Sequence, residues 1–180
     1  MTFSARAKTF IASLVMRQRV LNRWAHRSLP RKRLAACVLL FDDDDRLLVL
    51  RTTYRTGWLV PGGTVDPDES PWEGARREAK EEIGLDLGEI RFAGMDWRSA
   101  DAEYDDSLHF VFDGGVLSPE QRAAIRPDGI EIADYRFADR AEARELLEPH
   151  LCLRIMPCWD QRDAGRPLIL NRGEPDRQAS

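Results

Sequence analysis

Three glutamates, Glu78, Glu81 and Glu82, fall within five residues of one another in a segment with helical periodicity. With about 100° between successive helical residues, Trp72, Ala75, Ala79 and Ile83 share one face, and the small alanines let the helix approach whatever it packs on. Glu78 and Glu82, four apart, stand side by side next to that face. Glu81 lies about 60° beyond Glu78, turned further outward. Carboxylates crowded on one flank repel each other, and a hard divalent cation removes the conflict. Mg²⁺ takes a few carboxylate oxygens and fills its remaining positions with water and phosphate. The adjacent Pro61-Gly62-Gly63 turn offers backbone that a ligand can approach closely. The charges alone also fit a solvated acidic face balanced by Arg76, Arg77 and Lys80.

The helix that must carry these groups is well signalled. Ser70 is placed as N-cap, Pro71 at the first helical position, Glu73 to complete a capping box and Gly84 as the stop. Upstream, Leu34 to Phe41 and Arg46 to Arg51 read as a strand hairpin around Asp42–Asp45, a solvated acidic turn. Trp58 to Val60 is a short strand running into the glycines. Downstream, strands are expected near Ile90–Met95, Leu108–Phe112 and Ile130–Phe137, then a helix over Ala138–Leu147. The order implies an α/β fold with helices against a mixed sheet.

The spacing Gly63-x5-Glu69-x7-Arg77-Glu78-Ala79-x-Glu81-Glu82-x-Gly84-Leu85 resembles the Nudix box, and every fixed position is met; only Ala79 is smaller than usual. Gly129 to Phe137 resembles the late acidic strand of that family, and the likeness covers roughly residues 34 to 150. The resemblance implies a Nudix-type α/β/α sandwich and Mg²⁺-dependent hydrolysis (Mn²⁺ as a substitute) of a diphosphate linkage. The substrate expected is a small molecule in which a nucleoside diphosphate is joined to another group, such as a nucleotide sugar or a nucleoside triphosphate. Glu78 and Glu82 are then the principal metal ligands, assisted by Glu81 and the Gly63 carbonyl. Arg77 and Glu69 brace the box through a salt bridge. Glu81, Glu131 and Asp134 are the candidate bases. Tyr54, Arg55 and Trp58, just before the box, are candidates to line the substrate cleft, although packing explains Trp58 equally well. The proline that marks ADP-ribose relatives is missing from Ser99-Ala100-Asp101-Ala102, and no cysteine motif of an isoprenyl diphosphate isomerase is evident. The alternative is a non-catalytic Nudix-like sensor of nucleotide sugars; the intact box favours the enzyme.

The 180 residues carry a net charge of −4, which gives no reason to expect nucleic-acid binding by the chain as a whole. That balance hides an asymmetry, because residues 1–33 hold nine Lys or Arg and no acid. The expected organisation is a basic N-terminal extension (1–33), the hydrolase domain (34–171) and a polar tail (172–180). Residues 6–26 read as a basic amphipathic helix, suited to packing on the domain, to a homodimer contact or to peripheral contact with an anionic membrane. Packing is the simplest of these. Three scattered cysteines suggest free thiols, no apolar run is long enough to span a bilayer, and a cytoplasmic protein is the expectation.

Overall fold

The computed structural model describes residues 16–18, 25, 29, 31–54, 56–100 and 105–175. The chain divides into two compact units, 1–31 and 32–180. Of the helix expected over 6–26, Met16–Gln18 and Ala25 are helical, and the rest of that segment lies outside the described residues. Among the described residues no helix is long and apolar enough to cross a membrane.

The second unit is built on a mixed sheet. Its strands are β1 (Arg33–Phe41), β2 (Leu47–Thr52), β3 (Trp58–Leu59), β4 (Gly62–Thr64), β5 (Arg91–Arg98), β6 (Ser107–Val116), β7 (Ile132–Ala138), β8 (Leu168–Asn171) and β9 (Glu174–Pro175). The order is β3-β2-β1-β6-β5-β8-β9, with β4 paired to β1 and β7 to β2. The helices are α1 (Pro71–Ile83), α2 (Pro119–Ala124), α3 (Arg140–Leu146) and α4 (Pro149–Asp160).

Side chains alternate across each strand. Val38, Leu40, Leu48 and Leu50 therefore meet α1 through Ala75, Ala79 and Ile83 on one face. Leu39, Phe41, Leu47 and Val49 meet Ala143 of α3 and Ile155 and Trp159 of α4 on the other. A strand buried on both faces has to be apolar throughout, which explains the unbroken hydrophobic runs of β1 and β2. The result is the α/β/α sandwich.

Several local expectations change. The hairpin is nominal: β1 and β2 pair only at Phe41–Leu47, after which β1 runs parallel to β6 and antiparallel to β4. Asp42 is buried rather than solvated, and its carboxylate accepts the Asp44 and Arg46 N–H groups at 3.1 and 2.9 Å. Trp72 stays 37% exposed, its indole N–H donating to the Ile90 carbonyl instead of packing fully under the helix. The polar tail begins bound, since Gly173 N–H donates to the buried Asp96 carboxylate at 2.9 Å and Glu174–Pro175 pairs with β8.

Candidate active site

Helix α1 is fixed at both ends before its acids do anything. The Ser70 hydroxyl accepts the Glu73 N–H while the Glu73 carboxylate accepts the Ser70 N–H, and Gly84 closes the helix in the left-handed conformation. In front of it, β4 presses so closely on β1 that a Cβ on Gly62 would lie 2.4 Å from the Ala36 carbonyl. Gly62 also has a φ of 150°, so both space and backbone demand glycine there. At Gly63 the obstacle is different: a Cβ would sit 2.5 Å from Glu78 Oε1. The two glycines let the strand lie directly under the glutamates of the helix.

Arg77 is the hub of the cluster. Its guanidinium donates to both oxygens of Glu69 (3.0 and 3.2 Å), to Glu78 Oε1 (3.0 Å), to Glu81 Oε2 (2.8 Å) and to the Thr64 carbonyl (3.0 Å). The Arg77 bonds, helped by the Asp66 N–H, lower the Glu69 pKa from its ordinary value, and Arg77 itself is raised, first by Glu69.

Glu82 is 6% exposed, and among the described residues its carboxylate accepts one hydrogen bond, from Gly62 N–H at 2.9 Å. Burial pushes its pKa up to about 8, and Glu78, Glu131 and Asp128 push in the same direction. Glu78 is also raised, first by burial, with Arg77 opposing.

Glu78, Glu81 and Glu82 share one cavity of about 460 Å³ with Glu131, Asp128 and Asp66. Gly62, Gly63, Thr64, Tyr54 and Leu59 complete its wall, and Arg77 is the one cation among the described lining residues. No three carboxylates among the described residues converge into a finished metal cage; Glu78 and Glu81 turn to Arg77, and Glu82 to Gly62. The donor set still fits a hard divalent cation. It is all oxygen, strongly acidic, and includes a buried carboxylate short of positive partners.

Of the residues expected to line the cleft, Tyr54 does so and is 60% exposed. Trp58 does not. It is buried in the core on the α3–α4 face, with the Arg136 guanidinium 4.6 Å over its ring, so packing accounts for it. Arg55 lies outside the described residues. Asp134 faces Arg51 at 3.7 Å and takes no part in the cavity wall. Asp128 and Asp66 were not anticipated; the Asp128-Gly129 turn signal ahead of β7 is the trace that could have pointed to the first. A second cavity, about 130 Å³, lies beside β5 and has one acid, Asp113, held by Arg91 at 2.6 Å.

Comparison with known proteins agrees with the geometry. The chain is similar to an RNA pyrophosphohydrolase of Gluconacetobacter diazotrophicus, 38% identical over 72 residues, in a match that covers 35% of this chain and 43% of that one. It is similar to diphosphoinositol polyphosphate phosphohydrolase 2 of Rattus norvegicus, 43% identical over 56 residues, 30% of this chain and 31% of that one. The matches thus span less than half the length of these relatives.

Among solved structures, the MutT protein from Methanosarcina mazei Go1 superposes with a TM-score of 0.58 at 24% identity, covering 76% of this chain and 97% of that one. The NUDIX domain of Shewanella oneidensis NrtR, complexed with ADP ribose, gives 0.61 at 18% identity, covering 76% and 91%. At those identities the likeness shows the fold. The NUDIX domain profile matches residues 31–152, the stretch that holds the sheet, the braced box helix and the acidic cavity, and the chain belongs to that family.

Proposed function

We propose that the protein is a Mg²⁺-dependent hydrolase of a diphosphate linkage in a nucleoside diphosphate joined to another group, a nucleotide sugar or nucleoside triphosphate among them. The observation that carries this reading is the single cavity that gathers Glu78, Glu81, Glu82 and Glu131 over the Gly62-Gly63 strand. Glu78 and Glu82, with Glu81 and the Gly63 carbonyl, are the groups that would hold Mg²⁺ or Mn²⁺. When bound, such ions neutralise diphosphate oxygens and make water a better nucleophile.

The chain's own residues divide the remaining work. Arg77 holds Glu78 and Glu81 in place and is architectural. Glu131 is the base: it takes a proton from the attacking water as the new O–P bond forms and the bridging P–O bond breaks, and the leaving phosphate departs with the electron pair. Glu131 is favoured over Glu81, whose Oε2 is engaged by Arg77, and over Asp134, which lies outside the cavity. Tyr54 offers an exposed aromatic face to a nucleobase. The acidic wall supports a substrate with few phosphates. A heavily phosphorylated ring would need several cations, and among the described lining residues Arg77 is already engaged by three carboxylates.

Phosphate release from ADP-ribose, nucleotide sugars, GTP, diadenosine tetraphosphate and 5′-triphosphorylated RNA, with Mg²⁺ and a coupling phosphatase, tests the proposal. Turnover of at least one compound that falls by roughly 10²-fold or more in Glu82→Gln is expected. Tight ligand binding without turnover would replace the hydrolase reading with a nucleotide-sugar sensor.

A further inference from the structure

The turn before β7 joins the box helix to Glu131 through one side chain. Asp128 N–H donates to the carbonyl of Glu82 at 3.2 Å, and the neighbouring Arg126 N–H donates to the carbonyl of Ile83 at 2.9 Å. The Asp128 carboxylate then turns forward. Its Oδ1 accepts the N–H groups of Ile130, Glu131 and Ile132 at 3.0, 3.0 and 2.8 Å, and its Oδ2 accepts Glu131 N–H at 3.2 Å. On the far side, Thr53 of the β2 end donates its N–H to the Glu131 carbonyl (2.9 Å) and its hydroxyl to the Ile130 carbonyl (2.6 Å). The main chain of Glu131 is therefore held at both its N–H and its C=O, and only its side-chain torsions remain free.

We propose that Asp128 is a positioning residue for catalysis, a ruler that sets the separation between Glu131 and the metal-binding carboxylates of the box helix. The proposal rests on the reading of Glu131 as the base. Asp128 bonds with its amide to the residue carrying the Glu82 carboxylate and with its side chain to the residue carrying the proton acceptor. No other side-chain acceptor serves these three N–H groups among the described residues. Without the carboxylate they lose their common acceptor, the turn relaxes, and Glu131 drifts while still chemically intact. A displacement near 1 Å at a reacting group costs on the order of 10²-fold in rate. An amide at position 128 keeps one oxygen for the three N–H groups that Oδ1 serves but loses the charge and the second bond to Glu131 N–H, so it serves in part.

A double-mutant cycle on turnover tests this, using whichever of ADP-ribose, GTP, diadenosine tetraphosphate and 5′-triphosphorylated RNA the enzyme hydrolyses fastest with Mg²⁺. Asp128→Ala is expected to lower kcat roughly 10- to 100-fold with KM within about 3-fold. The loss should vanish in a Glu131→Gln background, where the base is already gone. Asp128→Asn, which keeps the oxygen that serves all three N–H groups, should recover part of the kcat lost in Asp128→Ala. Thr53→Val, which removes only the hydroxyl clip, should cost a few-fold and likewise lose its effect beside Glu131→Gln; it carries the cycle if Asp128→Ala does not fold. Equal losses in both backgrounds overturn the positioning role while leaving Glu131 as base. An Asp128→Asn enzyme as impaired as Asp128→Ala overturns it too, since the charge would then be what the site needs. Full turnover by Glu131→Gln alone overturns the base and, with it, this role.

Discussion

Replacing Arg77 with alanine separates the architecture of the site from its chemistry. The guanidinium makes five hydrogen bonds, to three carboxylates and one carbonyl. Glu69 and Glu78 are each 15% exposed, whereas Glu81 is 60% exposed and contributes little. Stripping the partner from a fully buried charge costs about 3–5 kcal/mol, and from an exposed one about 0–1. The intermediate burial here places Arg77→Ala at about 2–3 kcal/mol. For a domain of this size that is a fall of roughly 4–12 °C in melting temperature. The melts belong in a chelating buffer at low ionic strength, because added Mg²⁺ would neutralise the same glutamates and mask the loss. Arg77→Lys should recover only part, since an ammonium restores the charge but not the fork that grips Glu69 with two bonds. In a Glu69→Gln background the alanine substitution should cost less, because the two residues share those bonds. A melting temperature within about 1 °C of the parent in chelator would refute the bracing role.

Gly63→Ala should fold almost normally and lose roughly 10-fold or more in turnover, because the new Cβ displaces the flexible end of Glu78 rather than backbone; a crystal structure with Glu78 undisturbed would contradict this. Glu82 titrates at about 8 when folded against 4.5 as a free group. In chelator, the stability tied to its protonated form is full below about pH 4.5 and lost as pH rises through about 8. Glu82→Gln should flatten that slope in pH-dependent melts and raise the chelated protein's melting temperature at pH 8 by about 2–8 °C. On the opposite face, Arg154 and Asp96 form an ion pair at 3.1 Å with both side chains 3% exposed. Arg154→Met should cost about 3–5 kcal/mol by stranding Asp96, and a loss under about 1 kcal/mol in urea unfolding would count against a buried pair.

What the sequence disclosed was local. The capping box at Ser70 and Glu73, the stop at Gly84 and the register of Glu78 and Glu82 are all set within a few residues, so α1 could be placed to the residue. The β1–β2 hairpin misled because the turn at Asp42–Asp45 is real but pairing beyond Phe41–Leu47 is decided by β6 and β4, distant in the chain. Helix α4 was not anticipated. Pro157 inside it reads as a breaker, and the charged Arg154 interrupts its apolar stripe, yet that arginine is buried against Asp96. The surroundings of the two tryptophans near the box are likewise set by residues outside their own local sequence. Nothing near Trp58 in sequence indicates the α3–α4 core that buries it, and Trp72 finds its partner in the Ile90 carbonyl.

The charge of the cavity constrains the order of events more tightly than the fold does. Among the described lining residues, Asp66, Glu78, Glu81, Glu82, Asp128 and Glu131 share the cavity with one guanidinium, and that guanidinium is committed to bracing. A diphosphate approaching this wall without a cation meets the repulsion of its ionised carboxylates, in a recess where burial weakens water's screening. On the proposed reading, divalent ions would enter before the substrate or with it. The same excess of acid explains why Glu82 is left short of partners: a lysine beside it would satisfy the folded protein and occupy the place a metal needs. On the proposed reading, the buried carboxylate that destabilises the metal-free protein is the same feature that would draw a cation.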